Sequence, residues 1–168
     1  MKFARIAVAT ALSVAALSAS AVANNWAAHD PVEFGLGFGV GGGTPLLDTF
    51  SFTLGTAATL QYTVVTNDFL PTLDLIGSSI SLYSGTVGSG TWLASLPFDS
   101  VQQQASTGLL SAGAYYYEVS STVARNAFAG SYTVTSQVSA VPEPETYGLM
   151  FAGLAAIGFV ATRRRNQV

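Results

Sequence analysis

The chain has 168 residues, of which only 9% are charged, against roughly 25% in an average globular domain, and its mean hydropathy is +0.44. It has no cysteine and one histidine, which excludes a disulfide scaffold, a thiolate zinc site and a cysteine nucleophile. Residues 24–140 keep one cation, Arg125, against Asp30, Glu33, Asp48, Asp68, Asp74, Asp99 and Glu118, which offers no footprint for a phosphate backbone and excludes nucleic-acid binding.

The N-terminus reads as an export signal. Met1-Lys2-Phe3-Ala4-Arg5 carries two positive charges, and an uncharged, mostly apolar run follows from Ile6 to Val22. The run closes on Ala21-Val22-Ala23, a small-x-small pattern accepted by signal peptidases. Residues 1–23 are therefore expected to be removed, with Ala21 and Ala23 framing the cleavage and a mature start at Asn24. A retained membrane anchor is the competing reading, and the abruptly polar Asn24-Asn25 argues against it.

Residues 24–140 show no sustained 3.6-residue apolar period, but period-two alternation is frequent. Glu33 to Gly39 places Phe34, Leu36 and Phe38 on one side. Thr49 to Leu54 does the same with Phe50, Phe52 and Leu54, and Leu60, Tyr62 and Val64 alternate with threonine and glutamine. Ser79 to Tyr83, Tyr115/Tyr117/Val119 and Tyr132/Val134/Ser136/Val138 continue the pattern. Turn signals separate these runs at Gly41–Pro45, Asn67-Asp68, Gly85–Gly90, Ser111–Gly113 and Ala129-Gly130. About eight short strands with one polar face each predict an all-β, antiparallel sandwich or jelly roll over residues 24–140. The outward threonines and serines suit a surface that meets sugars, and strand propensity alone also explains them.

Few residues in this body point to chemistry. Gly37-Phe-Gly39-Val-Gly-Gly42 fits G-x-G-x-x-G, but Thr44-Pro45 follows where a dinucleotide site needs a helix. His29-Asp30 lies beside the expected mature terminus with no G-x-S-x-G serine, so a solvated histidine is expected. Asp68, Asp74 and Asp99 fall in or near turns, where aspartate is favoured for local hydrogen bonding. They are also candidate Ca²⁺ ligands or glycosidase carboxylates, although no calcium-loop motif is present. Arg125 is expected to form a structural ion pair. Among the aromatics Trp26, Trp92 and Tyr115–Tyr117, two are candidate glycan contacts: Trp92, beyond the Gly85–Gly90 loop, and Tyr116, which points opposite to its two neighbours.

The C-terminal 28 residues have three zones. Val141-Pro142-Glu143-Pro144 enforces an extended, accessible segment. An uncharged stretch follows from Thr146 to Thr162, a helix of roughly 25 Å at the short limit for a transmembrane span. Arg163, Arg164 and Arg165 then form a cytoplasmic stop by the positive-inside rule. This ordered set resembles the PEP-CTERM sorting signal of Gram-negative bacteria. The resemblance implies an exosortase partner in the inner membrane, a transient membrane anchor, removal of the tail near Pro-Glu-Pro, and delivery to the cell surface or extracellular matrix. Such proteins accompany exopolysaccharide and biofilm production, and some ice-binding proteins carry the same tail.

The body supplies a second resemblance. Asp48-Thr-Phe-Ser-Phe-Thr-Leu54, Ser81-Leu-Tyr83, Leu110–Tyr117 and Gly130-Ser-Tyr-Thr-Val134 resemble the bacterial pre-peptidase C-terminal β-sandwich and, more narrowly, the FxDxF group of PEP-CTERM proteins, with Leu46 where that group has its first Phe. The resemblance brings no catalytic residues. The expectation is a signal peptide (1–23), a β-sandwich (24–140) and a sorting tail with a transmembrane helix (141–168), in an exported, non-enzymatic protein that acts as a structural or adhesive matrix component. A secreted accessory module, a weak glycosidase and an ice-binding protein are the alternatives, the last with only Thr133-Val-Thr135 as a hint of a threonine array.

Overall fold

A computed structural model describes residues 21–69, 72–140 and 144–165. Most of the expected signal, residues 1–20, lies outside the described residues, as do Val141, Pro142 and Glu143 and the side chains of Pro144, Arg163, Arg164 and Arg165.

Nine strands form two sheets: β1 (Ala23–Ala28), β2 (Val32–Val40), β3 (Pro45–Leu54), β4 (Ala58–Thr66), β5 (Leu75–Ser84), β6 (Thr91–Pro97), β7 (Gln103–Ser106), β8 (Gly113–Val123) and β9 (Ala129–Ala140). One sheet has the order β1-β3-β8-β5-β6 and the other β2-β9-β4-β7. The expected sandwich is present, with one departure from antiparallel pairing: β1 runs parallel to β3, with Ala23 opposite Thr49. Between them the chain crosses into the other sheet as β2 and returns, so two reversals restore the original direction.

The core follows from the alternation. Leu46, Phe50, Phe52 and Leu54 of β3, Leu60, Tyr62 and Val64 of β4, Ile80 and Leu82 of β5, Tyr117, Val119 and Val123 of β8, and Tyr132 and Val134 of β9 are all buried. Each such side chain contributes about 1.5–3 kcal/mol by leaving water. Most polar groups inside are paired, Thr66 Oγ1 being an exception. Tyr132 O–H donates to Asp48 Oδ2 at 2.7 Å, Tyr117 and Ser136 hydroxyls lie 3.0 Å apart, and those of Ser78 and Ser121 2.7 Å apart.

β2 reverses the usual polarity of a strand. Phe34, Leu36 and Phe38 do share one side, but it is the outer one, where Val32 and Val40 accompany them and all five are exposed. The inward positions are Gly35, Gly37 and Gly39. A Cβ on Gly37 would lie 2.0 Å from Tyr132 Cε1 and 2.6 Å from Asp48 Oδ2. Rings rooted in β3 and β9 already fill the space under β2, so only backbone fits above them.

Two further expectations are corrected. Ala129-Gly130 is not a turn but the start of β9, because Gly130 lies against Leu75, and the turn falls at Arg125–Asn126. Arg125 is exposed in that turn and forms no ion pair among the described residues. The tail forms a helix, α1 (Pro144–Arg165, 22 residues), and among the described residues no helix is long and apolar enough to cross a membrane.

Two outcomes follow. Gly37→Ala forces a methyl into the Tyr132 ring and should lower unfolding free energy by about 3 kcal/mol in denaturant titration. The phenols of Tyr62, Tyr117 and Tyr132 are all pushed up by burial; the Ser136 hydrogen bond partly opposes this at Tyr117, while Asp48 adds to it at Tyr132 by hydrogen bond and by charge. Their folded values exceed the unfolded value of about 10, so their contribution is complete below that pH and is lost as pH rises beyond it. Phenolate absorbance from these three rings should appear only together with alkaline unfolding, as seen by near-ultraviolet circular dichroism.

Candidate functional site

The outer face of the five-stranded sheet carries an aromatic row. Across β3, β8, β5 and β6 the pairing aligns Ser51, Tyr116, Tyr83 and Trp92. The register shifts between Leu82 and Tyr83: Leu82 faces Ala94 and Tyr83 faces Trp92, so Leu93 is an extra residue in β6. This bulge sets the indole directly beside Tyr83.

The rings of Tyr83 and Tyr116 stack at 4.8 Å with 4° between their planes. Of the two candidate contacts, Trp92 is 59% exposed and available, whereas Tyr116 is 4% exposed. Tyr116 does point outward, but Tyr83 covers one side of it, and the Gly90 backbone lies so close that a Cβ there would sit 2.5 Å from its ring. Tyr116 is thus a backing for Tyr83 and not itself a contact. In the next row Glu118, Ser81 and Ser95 align, and Ser81 Oγ donates to Ser95 Oγ at 3.1 Å. The Tyr83 phenol is pushed up by desolvation, then by the Glu118 carboxylate and Tyr116, while a hydrogen bond with Ser81 pulls it down. The face therefore combines an open indole, a supported phenol, a carboxylate and hydroxyls within two adjacent rows. Sequence reading singled out Trp92 but not Tyr83 or Glu118. Their outward parity is visible in β5 and β8, but their meeting with Trp92 depends on strand pairing and on the bulge.

The remaining candidates are dispersed or structural. Asp68 is half-buried just beyond β4, and its Oδ1 is buried without a hydrogen-bond partner. Asp74 precedes β5, where its backbone bonds to Ala124 and Ala129. Asp99 follows β6, and its Oδ1 accepts the Val101 N–H at 2.8 Å, a local turn contact. Among the described residues no group of three His, Cys, Asp or Glu could hold a metal ion, so these aspartates do not assemble into one carboxylate cluster.

His29 is not simply solvated. Its Nε2 lies 2.8 Å from Ser136 Oγ, its Nδ1 contacts the Asp30 carbonyl oxygen, and its ring packs edge-on against Phe52. Ser136 is fully buried and also bonded to Tyr117, so this serine–histidine contact belongs to the core. Trp26 likewise packs on Phe50 and Phe52.

On α1, Leu149, Phe151, Leu154, Ile157 and Phe159 are all exposed, an apolar helix followed in sequence by Arg163–Arg165. Residues 140–165 match the family model of the PEP-CTERM protein-sorting motif. The chain carries a PEP-CTERM sorting motif. The motif implies recognition by an exosortase and export with sorting to the cell surface of a Gram-negative bacterium.

No curated protein matches this chain. Solved structures similar to it include the pre-peptidase C-terminal domain of a collagenase from Bacillus anthracis, with 16% identity, 68% of this chain and 94% of that one covered, and a TM-score of 0.46. PliG of Aeromonas hydrophila, a periplasmic inhibitor of g-type lysozyme, is similar at 14% identity, with 71% and 100% covered and a TM-score of 0.38. The Yersinia pseudotuberculosis-derived mitogen is similar at 10% identity, with 67% and 90% covered and a TM-score of 0.40. At these values none of them carries its activity over to this chain.

Proposed function

We propose that this PEP-CTERM protein is a non-enzymatic structural or adhesive component of an extracellular matrix, contacting exopolysaccharide through the Trp92–Tyr83 row. In this reading the signal peptide starts export, and Arg163–Arg165 hold the tail at the inner membrane until an exosortase removes it near Pro142 and Pro144. The sandwich is then left outside. The observation that supports matrix contact is the half-open Trp92 beside a stacked Tyr83–Tyr116 pair, with Glu118, Ser81 and Ser95 in the adjoining row. Sugar rings present apolar C–H faces to an indole and hydroxyls to a carboxylate, and this face has both features. A body with a single cation also avoids tight attachment to acidic polymers, so a neutral or weakly charged glycan is the favoured class.

The test is retention of the full-length protein on immobilised exopolysaccharide from the producing strain. Trp92→Ala should weaken retention at least tenfold, Glu118→Gln should weaken it less, and no soluble sugar should be released. Unchanged retention of Trp92→Ala overturns the contact. Sugar release that disappears with Asp68→Asn, Asp74→Asn or Asp99→Asn would replace the adhesive reading with a glycosidase.

A further inference from the structure

We infer that the chain is cut between Ala21 and Val22, not after Ala23, and that the new α-ammonium of Val22 is the counter-ion of the buried Asp48 carboxylate. The inference rests on the export reading of the N-terminus. Two overlapping small-x-small sites stand there, Ala19-Ser20-Ala21 and Ala21-Val22-Ala23, and both satisfy a signal peptidase equally. The fold distinguishes them.

Asp48 is 1% exposed. Its Oδ2 accepts the Tyr132 O–H, and its Oδ1 accepts the Val22 N–H at 2.8 Å. Val22 is itself held in place, because its carbonyl accepts the Thr49 N–H at 2.9 Å and the next residue, Ala23, opens the parallel pairing of β1 with β3. Both donors to Asp48 are neutral groups, and among the described residues no side-chain cation pairs with it. Arg125 sits exposed in the β8–β9 turn. A buried carboxylate served only by neutral donors is poorly compensated for lost hydration.

Processing supplies the missing charge at the right atom. Water adds across the Ala21–Val22 peptide bond, Ala21 leaves with the new carboxylate, and the Val22 nitrogen becomes an amine. That amine takes a proton from solvent below its ordinary pKa of about 8. The nitrogen that donated to Asp48 as a neutral amide then donates as an ammonium. A cut after Ala23 would instead delete Val22, leaving Asp48 with Tyr132 alone and the Thr49 N–H without its acceptor. One consequence is directional: the uncut precursor folds less stably than the exported product, which favours a chain still loose enough to translocate.

Two measurements test this. The full-length chain, exported in a Gram-negative host, is recovered for intact mass and N-terminal sequencing. A start at Val22 is expected; a start at Asn24 overturns the inference, and a chain still beginning at Met1 overturns the export reading beneath it. In the second, full-length chains released from a removable fusion begin at either Val22 or Ala21, so that both keep the Val22 N–H but only the first has an ammonium there. The Val22 start should melt more than about 5 °C higher at neutral pH, and Asp48→Asn should abolish most of that difference. Should Asp48→Asn fail to fold, pH replaces it: an ammonium contributes below its pKa and not above, so raising pH should bring the two melting points together. Equal melting points at neutral pH overturn the pairing.

Discussion

The sandwich is organised around one contact between its layers, the hydrogen bond from the Tyr132 hydroxyl on β9 to the Asp48 carboxylate on β3. A carboxylate with almost no exposure is a liability of several kcal/mol unless its oxygens are satisfied. Satisfying it fixes much of what surrounds it. The Tyr132 ring then lies against β2, where a Cβ at position 37 would fall 2.0 Å from it, and this demands glycine there. The other carboxylate oxygen draws in the chain just before β1, which in turn sets the parallel pairing of β1 on β3. A second interlayer link, from Tyr117 to Ser136 and on to His29, ties the β1–β2 connection to the same core. With this much cross-bonding between sheets, the body holds together without disulfides.

The two ends and the middle of the chain answer to different physics. The C-terminal sorting motif is defined by proline, apolar length and charge, and on the proposed reading the N-terminal segment is an export signal. On the proposed reading the sandwich has only to survive outside the cell and present a surface. Its chemistry is correspondingly sparse: hydroxyls and aromatics dominate, and its few carboxylates are spread over separate strands and turns. The outer row built on Tyr116, Tyr83 and Trp92 is the exception, because there rings that elsewhere fill the core are turned toward solvent and backed from below.

How much of this was legible depended on what each signal measures. Period-two alternation reports burial on one face, and it located β3, β4, β5, β8 and β9 well because their inward residues are large and apolar. The same signal misled at β2, where apolar residues alternate with glycine: periodicity reports which residues share a side but not which side is inside, and that is decided by Tyr132, Phe50 and Leu46 on other strands. β1, β6 and β7 lie at sheet edges or are short, so they bury too little to show a pattern. The tail was legible because peptide-level features carry it. Asp48 illustrates the opposite case. Nothing in Leu47-Asp48-Thr49 marks it as different from the turn aspartates, yet it alone is buried, since its parity in β3 turns it inward. His29 misled for a similar reason, because proximity to a terminus says nothing about a partner more than a hundred residues away.

The unpaired residue in β6 has a wider implication. Because Leu93 is accommodated as a bulge, Trp92 stands opposite Tyr83 while Ala94, Leu96 and their inward neighbours stay in step with β5. Hairpin length, and not only residue identity, therefore determines whether the ring is displayed. Relatives that gain or lose one codon in this hairpin would acquire or forfeit the display in a single step, with the hydrophobic interior left as it was.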